Sequence, residues 1–283
     1  MTTADTSTWQ VRDSESVIVG NEALLGQTHQ VVAMTRMRNE ALILPDTLDY
    51  LARHVDAVIA YDDASTDDTV EILRAHPKVG LIIANGQWER DVDARKRAEG
   101  RHRGLLLDMA RAQLPHDWMF CFDPDERVTG DLRDAISRVD VECDALRVRL
   151  FDAYLTTEDQ AAYTSDQALM DFRRFYGPEQ RDILMLWRNH AGIRFAEGDG
   201  RTPRGMTSVE TDLYCQHYGK SLSVAHLEET CNYYVQHFPY ETYGAKWEAR
   251  KGKAIHTESD FGNALHEWGE ALFANAVAMP VAK

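Results

Sequence analysis

Trp118-Met119-Phe120-Cys121-Phe122-Asp123-Pro124-Asp125-Glu126 is an apolar run that ends in three carboxylates within four positions. The run reads as a buried strand whose carboxyl end leaves the sheet, which sets the acids on a sheet rim, where open α/β folds bind ligands. Carboxylates so close together repel one another unless a cation neutralises them, and Mg²⁺ or Mn²⁺ takes one or two carboxylates together with phosphate oxygens. A solvated acidic turn after a strand is the competing reading.

A second acidic cluster, Tyr61-Asp62-Asp63-Ala64-Ser65-Thr66-Asp67-Asp68-Thr69, follows another apolar run, Ala57-Val58-Ile59-Ala60. Asp67 or Ser65 suits the cap of a helix suggested by Val70, Ile72 and Leu73, which leaves Asp62 and Asp63 unexplained. A strand-end carboxylate accepts a hydrogen bond from a base N–H or a ribose hydroxyl. Two acidic strand ends therefore suit a nucleotide lying across a sheet.

Outward from these stretches the pattern alternates strand and helix, with strands at 31–35, 57–61, 79–84 and 118–122 and helices near 41–53, 67–75 and 93–113. That alternation predicts an α/β fold with a doubly wound, mostly parallel sheet. Leu146–Phe151 and Ile183–Arg188 read as further strands, with a polar and aromatic excursion at 152–180. Residues 1–28 read as an extension in which Ser16–Gly20 could form an edge strand or a hairpin arm. From about Ser223 to 283 the pattern is helical. It carries Tyr233, Tyr234, Phe238, Tyr240 and Tyr243, read as packing residues rather than sugar platforms, and a basic face of Lys246, Arg250, Lys251 and Lys253.

With 283 residues and 44% hydrophobic content the chain can bury a full core. Its 46 acidic residues against 31 basic ones give a formal charge of −15, which argues against nucleic acid or an anionic membrane as a general partner. An acidic protein that holds a diphosphate needs a metal or a local basic patch. No run is long enough for a membrane span and Met1–Ser7 lacks signal-peptide character, so the expected location is cytoplasmic. Cys121, Cys143, Cys215 and Cys231 show no CxxC spacing and read as reduced structural thiols, and Cys215, His217, His226 and Cys231 match no common zinc framework.

Three stretches in order resemble the family 2 glycosyltransferases of the GT-A fold, particularly bacterial members with a DxDE-type motif. Val31-Val32-Ala33-Met34 followed by Arg38-Asn39-Glu40 is similar to the family's first strand and Asn-Glu pair. Asp62-Asp63-Ala64-Ser65-Thr66-Asp67-Asp68-Thr69 resembles its DDxSxDxT nucleotide motif, and Asp123-Pro124-Asp125-Glu126 its metal motif. The likeness covers the first half of the chain well and the second half poorly. It implies a domain at 29–222, with a donor half at about 29–127 and an acceptor half at about 128–222, between the extension and the helical region.

The implied reaction is transfer of a sugar from a nucleotide diphosphate donor, UDP-linked by resemblance, to a glycan or glycolipid acceptor hydroxyl with inversion. The setting would be envelope glycan synthesis, with the protein cytoplasmic or peripheral at the inner face of the membrane. Asn39, Glu40, Asp62, Asp63 and Asp123 would face the nucleotide, with Asp63, or failing that Asp62, selecting the base. Asp125 would hold Mn²⁺ or Mg²⁺, with Glu126, Asp123 and His217, which resembles a late His ligand, as further candidates. The basic segment Arg90–Arg103 reads as a solvated helix face, from which Arg95 and Arg103 are singled out for phosphate or base because the family's corresponding helix borders the nucleotide. The acceptor-side base would be Asp199 or Glu197, in the Gly-rich loop Arg194–Pro203. Asp199 is preferred for its flanking glycines, although many relatives carry a His-Glu pair near this point.

Other classes fit less well. A sugar nucleotidyltransferase would show a Gly-rich, Lys-containing loop after the first strand, where this chain has Thr35–Glu40. A haloacid-dehalogenase-like phosphatase would carry its DxD on the first strand. A catalytically idle nucleotide-sugar-binding or scaffolding protein is allowed by the unusual 197–203 loop. The sugar, the acceptor and the oligomeric state are not encoded in motifs.

Overall fold

The computed structural model describes residues 10–178 and 181–276, except the side chain of Lys96. The outermost parts of both terminal regions, 1–9 and 277–283, lie outside the described residues. In chain order the elements are β1 (Glu15–Val19), β2 (His29–Met37), α1 (Leu44–His54), β3 (Ala57–Asp63), α2 (Thr69–Ala75), β4 (Val79–Asn85), α3 (Val92–Gln113), β5 (His116–Cys121) and β6 (Glu126–Thr129). They continue with α4 (Leu132–Arg138), β7 (Ala145–Asp152), β8 (Phe175–Tyr176), β9 (Asp182–Arg188), β10 (Val209–His217), α5 (Val224–His237), α6 (Ala245–Glu248), β11 (His266–Glu267) and α7 (Glu270–Ala274). The chain divides into two compact units. One runs through Leu44 and comprises also Leu51–Pro124 and Leu186–Ser208; the other comprises Pro45–Tyr50, Asp125–Met185 and the residues from Val209 on.

In the first unit the strand order is β1-β4-β3-β2-β5-β9. The four inner strands are parallel, and β1 and the Leu186–Arg188 part of β9 run antiparallel at the margins. Val31–Met34, Ala57–Tyr61 and Trp118–Cys121 are all buried, which is why they read as unbroken apolar runs: a parallel strand covered on both faces has no solvent side to mark with polar residues. The order turns back on itself at β2, with β3 and β4 on one side and β5 on the other, so the carboxyl ends of β2 and β5 flank the switch point where such sheets bind ligands. The α/β fold with a mostly parallel, helix-flanked sheet is the one expected. Ser16–Gly20 forms an edge strand, as read, at β1.

In the second unit β7 and β10 are parallel, and β6 pairs antiparallel with β10 from Tyr214↔Thr129 to His217↔Glu126. The short β6 is anchored by Arg127, which is fully buried. Its guanidinium donates to Asp46 Oδ2 at 2.7 Å and to Thr47 Oγ1 at 2.8 Å and lies over the Tyr50 ring. Neither β6 nor β10 is apparent in the sequence. The first carries this buried arginine, and a register shift between Thr211 and Tyr214, with Leu213 at φ 63°, breaks the alternation of the second. Ser223 caps α5 by accepting from the His226 N–H. Leu227 and Cys231 on that helix pack with Leu155 and Ala254, and Tyr234 stacks on Trp247 at 4.4 Å, whereas Tyr240 and Tyr243 are exposed. All four cysteines are free and buried.

Candidate functional site

In the first unit the loops after β2 and β3 are stitched together by the second acidic motif. The Asn39 N–H donates to Ser65 Oγ (2.8 Å), the Thr66 N–H to Asn39 Oδ1 (2.8 Å), the Glu40 N–H to Thr69 Oγ1 (2.9 Å) and the Ala41 N–H to Asp67 Oδ2 (3.1 Å). Asn39 and Ala64 both sit at positive φ, near 57° and 58°, a conformation an alanine adopts only when its surroundings impose it. Ser65, Thr66, Asp67 and Thr69 thus form a latch, and Asp62 is left for other work. Asp62 is 2% exposed, its Oδ2 accepts from the Ser65 N–H at 3.0 Å, and its Oδ1 has no hydrogen-bond partner. Burial raises its pKa above the ordinary carboxylate value, against the hydrogen bonds from Ser65.

Asp63 is engaged differently. Arg36 Nη2 donates to its Oδ2 at 2.5 Å and Asn85 Nδ2 to its Oδ1 at 3.3 Å. Behind this pair Arg36 Nε donates to His102 Nδ1 at 3.0 Å, which makes that nitrogen an acceptor. The His102 ring stacks on Tyr61 with 3.8 Å between centroids. The Tyr61 hydroxyl donates to Glu15 Oε1 at 2.6 Å, and Arg101 grips both oxygens of Glu15 at 2.5 and 2.7 Å. Burial and then the Arg36 and Arg101 charges depress the His102 pKa well below its usual value. Arg95, Arg101, His102 and Arg103 are all buried, which corrects the reading of this segment as a solvated face. Arg95 lies over the Trp88 ring and donates to the Glu89 carbonyl. Nothing in the sequence distinguishes Arg36 from neighbouring Arg38.

Asp123 stands between two arginines. Arg103 Nη2 is 3.3 Å from Oδ1 and Arg201 Nη1 is 3.3 Å from Oδ2, while Arg201 Nη2 donates to the Cys121 carbonyl at 3.0 Å. The carboxylate itself is 38% exposed and Arg103 is 6% exposed. Arg201 lies in the same Arg194–Pro203 loop as the candidate bases, and nothing in the sequence marks it as a partner of Asp123. In that loop Asp199 Oδ2 accepts from the Ala196 N–H at 2.7 Å, and Oδ1 from Arg204 at 2.7 and 3.0 Å. Glu197 is exposed and lines a cavity of about 90 Å³ with Arg12, Glu89, Arg97 and Arg101. Gly100 on α3 lets the loop approach, because a Cβ there would collide with the Ala196 and Asp199 carbonyl oxygens.

In the second unit Asp125, Asp152 and His217 come together. His217 Nε2 is 3.2 Å from Asp125 Oδ2, and Nδ1 is hydrogen-bonded to Asp152 Oδ1. Burial alone would lower the His217 pKa, but the two flanking carboxylates raise it to about 10. Asp152 is 2% exposed. Burial opposes its ionisation, yet Lys220 and His217 hold its pKa well below the usual range. Glu126 is buried on β6 opposite His217. A Cβ at Gly219 would collide with Asp125 Oδ2 and stand 3.1 Å from His217 Nε2, so glycine keeps the space beside this oxygen and nitrogen open. Among the described residues no group of three or more His, Cys, Asp or Glu side chains is placed to hold a metal ion. One or two carboxylates beside phosphate oxygens is, however, the usual arrangement for Mg²⁺, and the Asp125 carboxylate fits that donor set, with the adjoining imidazole as an added nitrogen donor. Asp152 escaped notice although it ends the apolar run Leu146–Phe151, the same strand-end signal that singled out Asp62 and Asp123.

The model of glycosyl transferase family 2 matches residues 34–198, more than half of the chain. Uncharacterized proteins of Mycobacterium tuberculosis and Mycobacterium bovis are each 35% identical to it over 167 residues, covering 58% of this chain and 38% of the relative. The chain thus spans well under half the length of these curated relatives. Similar solved structures include residues 1–349 of Staphylococcus aureus TarS, at TM-score 0.44 and 14% identity over 78% of this chain and 69% of that one. A mannosyltransferase from Pyrobaculum calidifontis in complex with GDP-Man and Mn²⁺ is similar at TM-score 0.38 and 16% identity, over 81% of this chain and 71% of that one.

Proposed function

The chain belongs to glycosyl transferase family 2, and from that membership we propose that it moves a sugar from a nucleotide diphosphate donor to an acceptor hydroxyl with inversion at the anomeric carbon. The observation that carries the reading is Asp62: a carboxylate at the end of β3, beside the switch point, with one buried oxygen that has no hydrogen-bond partner. A base N–H donating to that oxygen would satisfy it, which favours uracil or guanine, both of which present a ring N–H. A uridine nucleotide is the first choice.

Asn39 and Glu40 shape the rim of this site through the latch, and Asp63, held by Arg36, presents its carboxylate beside Asp62. Arg103 and Arg201 orient Asp123 toward the ribose and bring positive charge to the diphosphate. Arg95, over the Trp88 ring and donating to the Glu89 carbonyl, would act on the donor only through that loop. Asp125, with Glu126, Asp123 and His217 as further candidates, would hold Mn²⁺ or Mg²⁺. When bound, that cation neutralises charge developing on the leaving diphosphate. Asp199 or Glu197 takes the acceptor proton, as an inverting displacement requires.

The acceptor is a glycan or glycolipid of the cell envelope and the protein works in the cytoplasm or at the inner face of the membrane. No described helix is long and apolar enough to cross a membrane. The test is a thermal-shift screen of uridine, guanosine and adenosine diphosphates with and without Mn²⁺, because a ligand that binds the native state raises its melting temperature by mass action. One nucleotide should stabilise only with metal. No shift with any of them sinks the reading, and a shift without sugar turnover on any acceptor leaves an idle binding protein.

A further inference from the structure

Asp152 has a place in the second unit that packing does not account for. It ends β7, opposite His217 on the parallel strand β10, and its two oxygens are divided between two tasks. Oδ2 is 2.8 Å from Lys220 Nζ and 3.4 Å from Arg181 Nη1; Oδ1 is hydrogen-bonded to His217 Nδ1. Lys220 is itself tied down, donating to Asp260 Oδ2 at 2.6 Å and to the Tyr154 hydroxyl at 3.1 Å, and Arg250 makes a further ion pair with Asp260. The cations on one oxygen keep Asp152 an anion at 2% exposure, where an unpaired carboxylate would be severely penalised. The other oxygen is then a fixed acceptor for one ring nitrogen.

An imidazole has two nitrogens, and the one that binds a metal is chosen by the partner of the other. With Nδ1 committed to Asp152, Nε2 is directed at Asp125 Oδ2, 3.2 Å away, beside the space that Gly219 leaves open; the proton that Nε2 carries between the two carboxylates would leave when a cation takes its place. We propose that Asp152 is a positioning residue that fixes the His217 ring so that its Nε2 and the Asp125 carboxylate face one divalent cation together. The inference rests on the metal-dependent reading above, and it adds a residue and a role: the Asp152–Lys220 pair, joined to Asp260, holds the imidazole in place from behind.

The test is Mn²⁺ titration of the full chain followed by electron paramagnetic resonance, with saturating UDP and, separately, GDP. Asp152→Asn should weaken Mn²⁺ binding by about 10–100-fold, the usual cost of removing such a supporting partner. In a double-mutant cycle Asp152→Asn should add no further loss to His217→Ala, because it acts through that ring. Parent-level Mn²⁺ affinity in Asp152→Asn, or fully additive losses, overturns the inference. Should Asp152→Asn fail to fold by circular dichroism, the parent still decides: histidine ¹⁵N spectra with Mg²⁺ and nucleotide bound should show the His217 proton on Nδ1, and a proton on Nε2 overturns it. A parent that takes up no Mn²⁺ with either nucleotide fails the metal-dependent reading itself and takes this inference with it. A parent that takes up Mn²⁺ while Asp152→Asn matches it fails the inference alone.

Discussion

Arg36 on β2 donates to Asp63 at the end of β3 at 2.5 Å, and the Asp63 side chain is only 4% exposed. One half of the paired-aspartate motif is therefore neutralised from within the first unit, whereas Asp62 beside it keeps an oxygen without a hydrogen-bond partner. Removing the cation alone leaves a buried charge uncompensated. Arg36→Met should cost about 3–5 kcal/mol of stability, more than Asp63→Asn, because the asparagine leaves no buried anion behind. Urea denaturation of the two variants measures this, and an Arg36→Met protein as stable as the parent would refute the pairing.

His102 gives the first unit a pH dependence of definite sign. Burial and the adjoining Arg36 and Arg101 charges place its folded pKa below the unfolded value, so the ring stays neutral in the fold and takes up a proton on unfolding in mild acid. The associated stability is fully present above about pH 6.5 and is lost as the pH falls below it, by up to about 1.4 kcal/mol per pH unit. His102→Gln keeps an acceptor for Arg36 Nε and removes the titration. Denaturation curves between pH 8 and 5 should lose about one proton's worth of slope in that variant, and an unchanged slope would assign the effect to other histidines.

The aspartate that is left without a second partner should matter most for ligand. Replacing Asp62 by Ala strips an acceptor from the base and should weaken nucleotide binding by about 1–3 kcal/mol, read by calorimetry. Because burial raises its pKa, parent affinity should fall as acid protonates the carboxylate, and the Ala variant should lack that dependence. Equal affinities in parent and variant would move base recognition elsewhere.

The parallel strands and the two acidic strand ends were legible because a strand buried on both faces is an apolar run, and a carboxylate at its end is conspicuous. The α3 segment was misread for a physical reason. A charged helix looks solvated unless its partners are known, and those of Arg101 and His102, Glu15 and Arg36, lie 86 and 66 residues away. The same holds for Arg201, whose contact with Asp123 spans 78 residues, and for Asp152, joined to His217 across 65. Within the DDxSxDxT motif, the sequence does not reveal that Ser65, Asp67 and Thr69 serve the loop latch while Asp62, tied to Ser65 through one oxygen, keeps the other without a hydrogen-bond partner. That division depends on which backbone N–H groups the β2–α1 loop presents.

The acceptor-side base offers the sharpest contrast, between two carboxylates on one loop. Both oxygens of Asp199 are engaged, one by the Ala196 N–H and one by Arg204, so Asp199→Asn disturbs the loop as well as any proton transfer. If Asp199 is the base, turnover should fall by about 10²–10⁴-fold with donor affinity intact, and the acid limb of the pH–rate profile should disappear. Arg204→Met separates the two effects, because it releases the loop contact and leaves the carboxylate. That variant should retain most of the rate if Asp199 is the base, and should match Asp199→Asn if the residue only holds the loop. Glu197→Gln is the companion measurement: Glu197 is exposed, so the substitution should leave stability unchanged. A crippled Glu197→Gln enzyme beside a near-normal Asp199→Asn enzyme gives the role to Glu197, and full rates in both place the base outside this loop.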